Sequence, residues 1–140
     1  MLNRTILTVC LLGGCVVCFW MVPQASSEAK KDAPPFKPVA STESLMYAQE
    51  YHFDHISELI ESEAKSRYFD IASQGEILAE LANINRYHDD REDYIQWCEL
   101  MKSKSLEIAE AAKKKDDAAI KTLVKDINKD ACSACHNKYQ

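Results

Sequence analysis

Near its C-terminus the chain reads Cys132-Ser133-Ala134-Cys135-His136, two thiols three residues apart with an imidazole directly after the second. On a helix, residues three and four apart share a face, so both thiols and the His136 ring project to the same side. Thiols at that spacing can add to the two vinyl groups on one edge of a haem, while the imidazole presents a nitrogen to the iron. Covalent attachment then holds the macrocycle against the helix, and the axial nitrogen helps set the iron's electronics. Cys-x-x-Cys-His is the sequence pattern of c-type haem attachment. One haem c is therefore expected on Cys132 and Cys135, with His136 as an axial iron ligand.

The same side chains admit two other chemistries. A thioredoxin-like dithiol needs a strand-to-helix context, and no stretch of this chain alternates like a strand. A zinc site needs about four ligands. Cys132, Cys135 and His136 supply three, so His52 or His55 would have to complete it.

The elements that must position these residues read as helices. Only three glycines and four prolines occur, and every proline precedes residue 39. From there to the C-terminus the chain is rich in Ala, Leu, Ile, Glu and Lys, an all-α composition. Four stretches carry apolar residues at spacings of three and four. The first, about 42–63, has Ser41 or Thr42 as N-cap and the stripe Leu45, Met46, Phe53, Ile56, Leu59 and Ile60. The second, about 66–85, carries Phe69, Ile71, Ile77, Leu78, Leu81 and Ile84. The third, about 89–113, carries Tyr94, Trp97, Cys98, Met101, Ile108 and Ala112. The fourth opens at Asp116-Asp117 and runs through Ile120, Leu123, Val124, Ile127 and Ala131 into the cysteine motif. Short polar links between long helices favour antiparallel neighbours, so an antiparallel four-helix bundle over 41–140 is expected.

Residues 1–27 have the pattern of an export signal: Arg4, then an uncharged run from Thr5 to Val22, then Ala25-Ser26-Ser27 as a cleavage point. The run is also long enough to be a retained membrane anchor, and Leu12-Gly13-Gly14-Cys15 loosely matches a lipoprotein box. Residues 28–40, with Pro34-Pro35 and Pro38, read as a flexible linker. Once Cys10, Cys15 and Cys18 are set aside with the export segment, Cys98, Cys132 and Cys135 remain, an odd number and a poor disulfide framework. Of 17 basic residues, Arg4 leaves with that segment, so 16 face 22 acidic ones. An acidic domain argues against nucleic acid as a partner.

The position of the motif is a second clue, because only Asn137, Lys138, Tyr139 and Gln140 come after it. Most small c-type cytochromes carry the motif near the N-terminus and a methionine ligand downstream. Residues 42–140 instead resemble the class II c-type cytochromes, the cytochrome c-prime family, four-helix bundles with the haem motif late in the last helix. The likeness lies in Asp117, Ala118, Ile120 and Val124 followed by Cys132 through Tyr139. The family often has arginine after that tyrosine, where this chain has Gln140.

The resemblance implies a distal residue on the first helix. Met46, with Phe53 seven and Ile56 ten residues on, matches the spacing around the methionine of six-coordinate relatives, although Thr42 stands where those relatives carry a basic residue. His52 and His55 are the alternative ligands. With Met46 bound, the resemblance implies a periplasmic carrier of single electrons between redox proteins. With the position open, it implies a five-coordinate protein binding nitric oxide or carbon monoxide. Several relatives dimerise through their first two helices, so a homodimer is a further expectation. No enzyme activity is expected, and contact with a membrane only if the N-terminal segment is retained.

Overall fold

A computed structural model describes residues 36–139; residues 1–35 and Gln140 lie outside the described residues. The expected export segment and most of the linker therefore fall outside them too. Of the linker, residues 36–40 are described: they are not helical, and the Phe36 ring packs 5.0 Å from that of Tyr87.

The described chain is all-helical: α1 (Thr42–Ile60), α2 (Arg67–Asn85), α3 (Glu92–Lys113), α4 (Asp117–Asp126), a π-helical stretch (Ile127–Ser133) and α5 (Ala134–Tyr139). The last three form one continuous rod, so four helices pack together. No helix among the described residues is long and apolar enough to cross a membrane.

Each boundary has a local cause. Ser41 caps α1, its hydroxyl accepting the Ser44 N–H at 3.1 Å. The helix ends with the last residue of its apolar stripe, Ile60, three residues before the expected end at 63. There the Arg67 guanidinium donates to the carbonyls of Ile60 (3.1 Å) and Ser62, groups the helix end leaves unpaired. At the start of α3 the Asp89 carboxylate accepts the Arg91 N–H at 2.9 Å, which delays the helix to Glu92. Between α3 and α4 the chain turns on Lys115, which adopts a left-handed φ of 59°. The N–H groups of Lys115 and Asp116 return to the carbonyls of Ala112 (2.9 Å) and Ala111 (3.0 Å), a Schellman closure with lysine in glycine's usual place. Asp116 then caps α4 through the Ala119 N–H at 3.0 Å.

The core runs the length of the bundle through Ile56, Ile71, Leu78, Ile108, Ile120 and Ile127, all fully buried. Of the predicted second stripe only Ile71 and Leu78 are in it: Leu81 and Ile84 are half-buried, Phe69 is 79% exposed and Ile77 is on the surface. Their place is taken by small residues. Ala72, Gly75, Ala79 and Ala82 make one face of α2 narrow enough for α3 to come in close. A Cβ on Gly75 would sit 2.8 Å from the Ser105 carbonyl oxygen and 3.2 Å from the Ala109 nitrogen.

Candidate cofactor cavity

The bundle does not close along its whole length. Between α1, α3 and the end of the last rod lies a cavity of about 960 Å³. From α1 it is lined by Met46, Gln49 and Phe53, among others; from α3 by Tyr94, Trp97, Cys98 and Met101; and from the last rod by Ala131, Cys132, Cys135, His136 and Tyr139. Met46 and the cysteine motif, at opposite ends of the domain sequence, therefore meet in one cavity.

Cys132 and Cys135 are free thiols, both half-buried, while His136 is exposed at the rim. Burial pushes both thiols above their ordinary pKa, so they stand protonated at neutral pH. Cys98, fully buried in the α3 wall, is pushed up to about 12, again by burial first and then by the charge of Cys135. That is an inert thiol.

The π-helical stretch decides where Cys132 points. On an ideal α-helix Cys132 would sit roughly 140° round from the core residue Ile127. A π-helix turns less per residue, because its hydrogen bonds span five residues rather than four. The lag accumulates from Ile127 to Ser133 and swings Cys132 back against the buried core.

The six-residue α5 is held by side chains. Asp93, in the first turn of α3, accepts the Tyr139 hydroxyl at 2.5 Å and is paired with Lys138. The Arg91 guanidinium lies 3.6 Å over the Tyr139 ring, and Trp97 packs edge-on against the same ring at 5.7 Å. A guanidinium thus reaches Tyr139 from the start of α3 in a chain where Gln140 comes after that tyrosine. Hydrogen bonds from Lys138 first, then Tyr139, lower the Asp93 carboxyl to about 2. A carboxylate depressed in the fold stabilises fully above its unfolded value near 3.8 and loses that contribution as the pH falls through about 2. The Trp97–Tyr139 contact should accordingly persist through mild acid. Near-ultraviolet circular dichroism collapsing already between about pH 5 and 4, with the helical signal intact, would contradict this pin.

His52 and His55 do not line the cavity. His52 Nδ1 lies 2.5 Å from Gln74 Oε1 on α2, and His55 faces Glu58 one turn on at 3.5 Å. A zinc site built from the cysteine motif plus either of them is thus not assembled. Among the described residues no group of three or more His, Cys, Asp or Glu side chains is arranged to hold a metal ion. Of the aromatics in the predicted second and third stripes, Tyr94 and Trp97 line the cavity and Phe69 does not. His88, in the link between α2 and α3, is half-buried at the wall, its Nε2 without a partner.

Two residues at this site escaped sequence reasoning. Gln49, on the wall, is 5% exposed, and its Nε2 has no hydrogen-bond partner. Asn85, 1% exposed, sits behind Met46 with Nδ2 3.9 Å from the Met46 sulfur. A buried amide without a partner costs about 1–3 kcal/mol, so the orphaned Gln49 Nε2 suits an occupant that brings an acceptor of its own.

No family model, no curated protein and no solved structure matches the chain.

Proposed function

We propose that this protein is an exported, single-haem c-type cytochrome built on an antiparallel four-helix bundle, carrying single electrons between redox proteins in the periplasm. The observation that carries the proposal is the shared cavity, into which Cys132, Cys135, His136 and Met46 come from two different helices. Cys132 and Cys135 hold the haem c, and His136 and Met46 bind its iron. The connections 61–66, 86–91 and 114–116 are short, which favours antiparallel neighbours.

When bound, the haem supplies a one-electron couple. The chain does the rest. His136 and Met46 would provide the same ligands in both oxidation states, so little of the chain would need to rearrange. Met46 raises the reduction potential relative to a nitrogen or oxygen ligand, and the α3 wall of Trp97, Cys98 and Met101 limits water. Partners dock transiently at the cavity mouth; nucleic acid is not among them. A homodimer, or a retained N-terminal anchor, is compatible with this role.

One observation favours a second role. The Gln49 amide is a free donor on the cavity wall. Were Met46 to pack without binding iron, the sixth position would be open in a cavity that carries this donor, and nitric oxide or carbon monoxide could bind there.

Protein produced in a host that matures c-type haem should decide between them. A low-spin optical spectrum, oxidised and reduced, that carbon monoxide leaves unchanged is the expected result. A high-spin spectrum that shifts with carbon monoxide would replace electron transfer with gas binding.

A further inference from the structure

We propose that Asn85 is a positioning residue that donates a hydrogen bond to the Met46 sulfur and thereby sets both the aim of that sulfur and the reduction potential of the iron. The inference rests on Met46 as the sixth ligand, as proposed above.

Asn85 is the last residue of α2 and is almost completely buried. Its carbonyl oxygen Oδ1 accepts the Tyr94 hydroxyl at 3.0 Å. Burial raises the Tyr94 pKa, so that hydroxyl stays protonated and remains a donor. With Oδ1 committed, the amide can turn only one way, and Nδ2 points at Met46 Sδ, 3.9 Å away. The opposite flip would put a carbonyl oxygen against the thioether, two acceptors facing each other. Asn85 does not line the cavity, so it acts on any occupant only through Met46.

A thioether sulfur has two lone pairs. One receives the Asn85 N–H and the other is left for a metal. A donor on the sulfur draws off density that would otherwise stabilise the oxidised iron, which favours the reduced state. It also holds Met46 in one rotamer, which an unbranched, flexible side chain does not do for itself. Partners behind a metal ligand typically matter by about 10- to 100-fold in affinity. An apolar side chain would fill this site at lower desolvation cost, which makes a buried amide here a feature in need of a purpose.

The test uses the full-length, haem-loaded protein and its Asn85→Leu variant. Reduction potential and affinity for imidazole, a competitor for the sixth position, are measured on both. Asn85→Leu should lower the potential by about 59 mV, a tenfold change in a one-electron equilibrium. Imidazole should bind on the order of tenfold more tightly. A merely structural role would lower melting temperature and move neither number. If Asn85→Leu does not accumulate, Asn85→Thr, whose hydroxyl is too short to reach the sulfur, is judged by the same two readouts. A loaded, low-spin variant with unchanged potential and imidazole affinity overturns the role of Asn85 alone. A parent protein that is high-spin and binds carbon monoxide overturns the Met46 assignment itself.

Discussion

Replacing both Cys132 and Cys135 by alanine is expected to give, after denaturation, the mass of the bare polypeptide, where the parent is heavier by one haem. The two thiols are half-buried on the cavity wall and have no disulfide partner among the described residues. Each single variant should keep one thioether and the same added mass. His136→Ala separates attachment from ligation. It should retain the added mass where maturation tolerates the change, yet lose the normal proximal spectrum, because His136 directly follows Cys135 and shares the cavity with both thiols. A His136→Ala spectrum matching the parent would refute the ligand assignment. A parent protein of bare polypeptide mass, made in a host competent for c-type haem, would refute the haem itself.

The second large effect is on the scaffold. Placing alanine in a helix interior normally gains up to about 1 kcal/mol over glycine. Gly75→Ala should reverse that sign. The new methyl would meet the Ser105 carbonyl at 2.8 Å and Ala109 at 3.2 Å, and backbone cannot swing aside as a side chain can. Overpacking of this kind costs about 1–3 kcal/mol. The net loss should be about 1 kcal/mol or somewhat more, several degrees of melting temperature for a domain of this size. Gly75→Val, with two more methyl groups and poorer helix propensity, should lose more than alanine does. Thermal melts of the haem-free forms read both. An unchanged or higher melting temperature for Gly75→Ala would mean that α2 and α3 do not approach so closely. The consequence reaches the cavity, because α3 supplies Tyr94, Trp97, Cys98 and Met101 to its wall. A scaffold pried apart at Gly75 should also loosen that wall.

Much of the architecture could be read from residue pattern. The stripes at Ile56, Leu78, Ile108 and Ile120 are buried as helical periodicity predicts, and Ser41 and Asp116 cap where their side-chain chemistry suits them. Periodicity fails for Phe69 and Ile77, because it reports which side of a helix is apolar and not how near the next helix comes. Ala72, Gly75 and Ala82 make α2 bury a seam of small residues, and large apolar neighbours are left outside. For the site, Cys132, Cys135, His136 and Met46 could be singled out by residue type and spacing. Gln49 and Asn85 could not, since polar residues in a helix read as surface until a neighbouring helix covers them. Arg91, expected within the third helix but found just before it, stacks on Tyr139 from a distant part of the sequence, and no local pattern encodes that pairing.

The π-helical stretch has one more consequence, for how the last rod tolerates insertion and deletion. A widened turn stores about one surplus residue within an otherwise regular helix. Because it runs from Ile127 through Cys132 to Ser133, it lets Ile127 and Cys132, five residues apart, both turn toward the core. Deleting one residue between Ile127 and Ala131 would let the rod relax to a plain α-helix, shorter but still continuous. An insertion upstream, within α4, has no such slack and would displace Ile120 or Ile127 from the core.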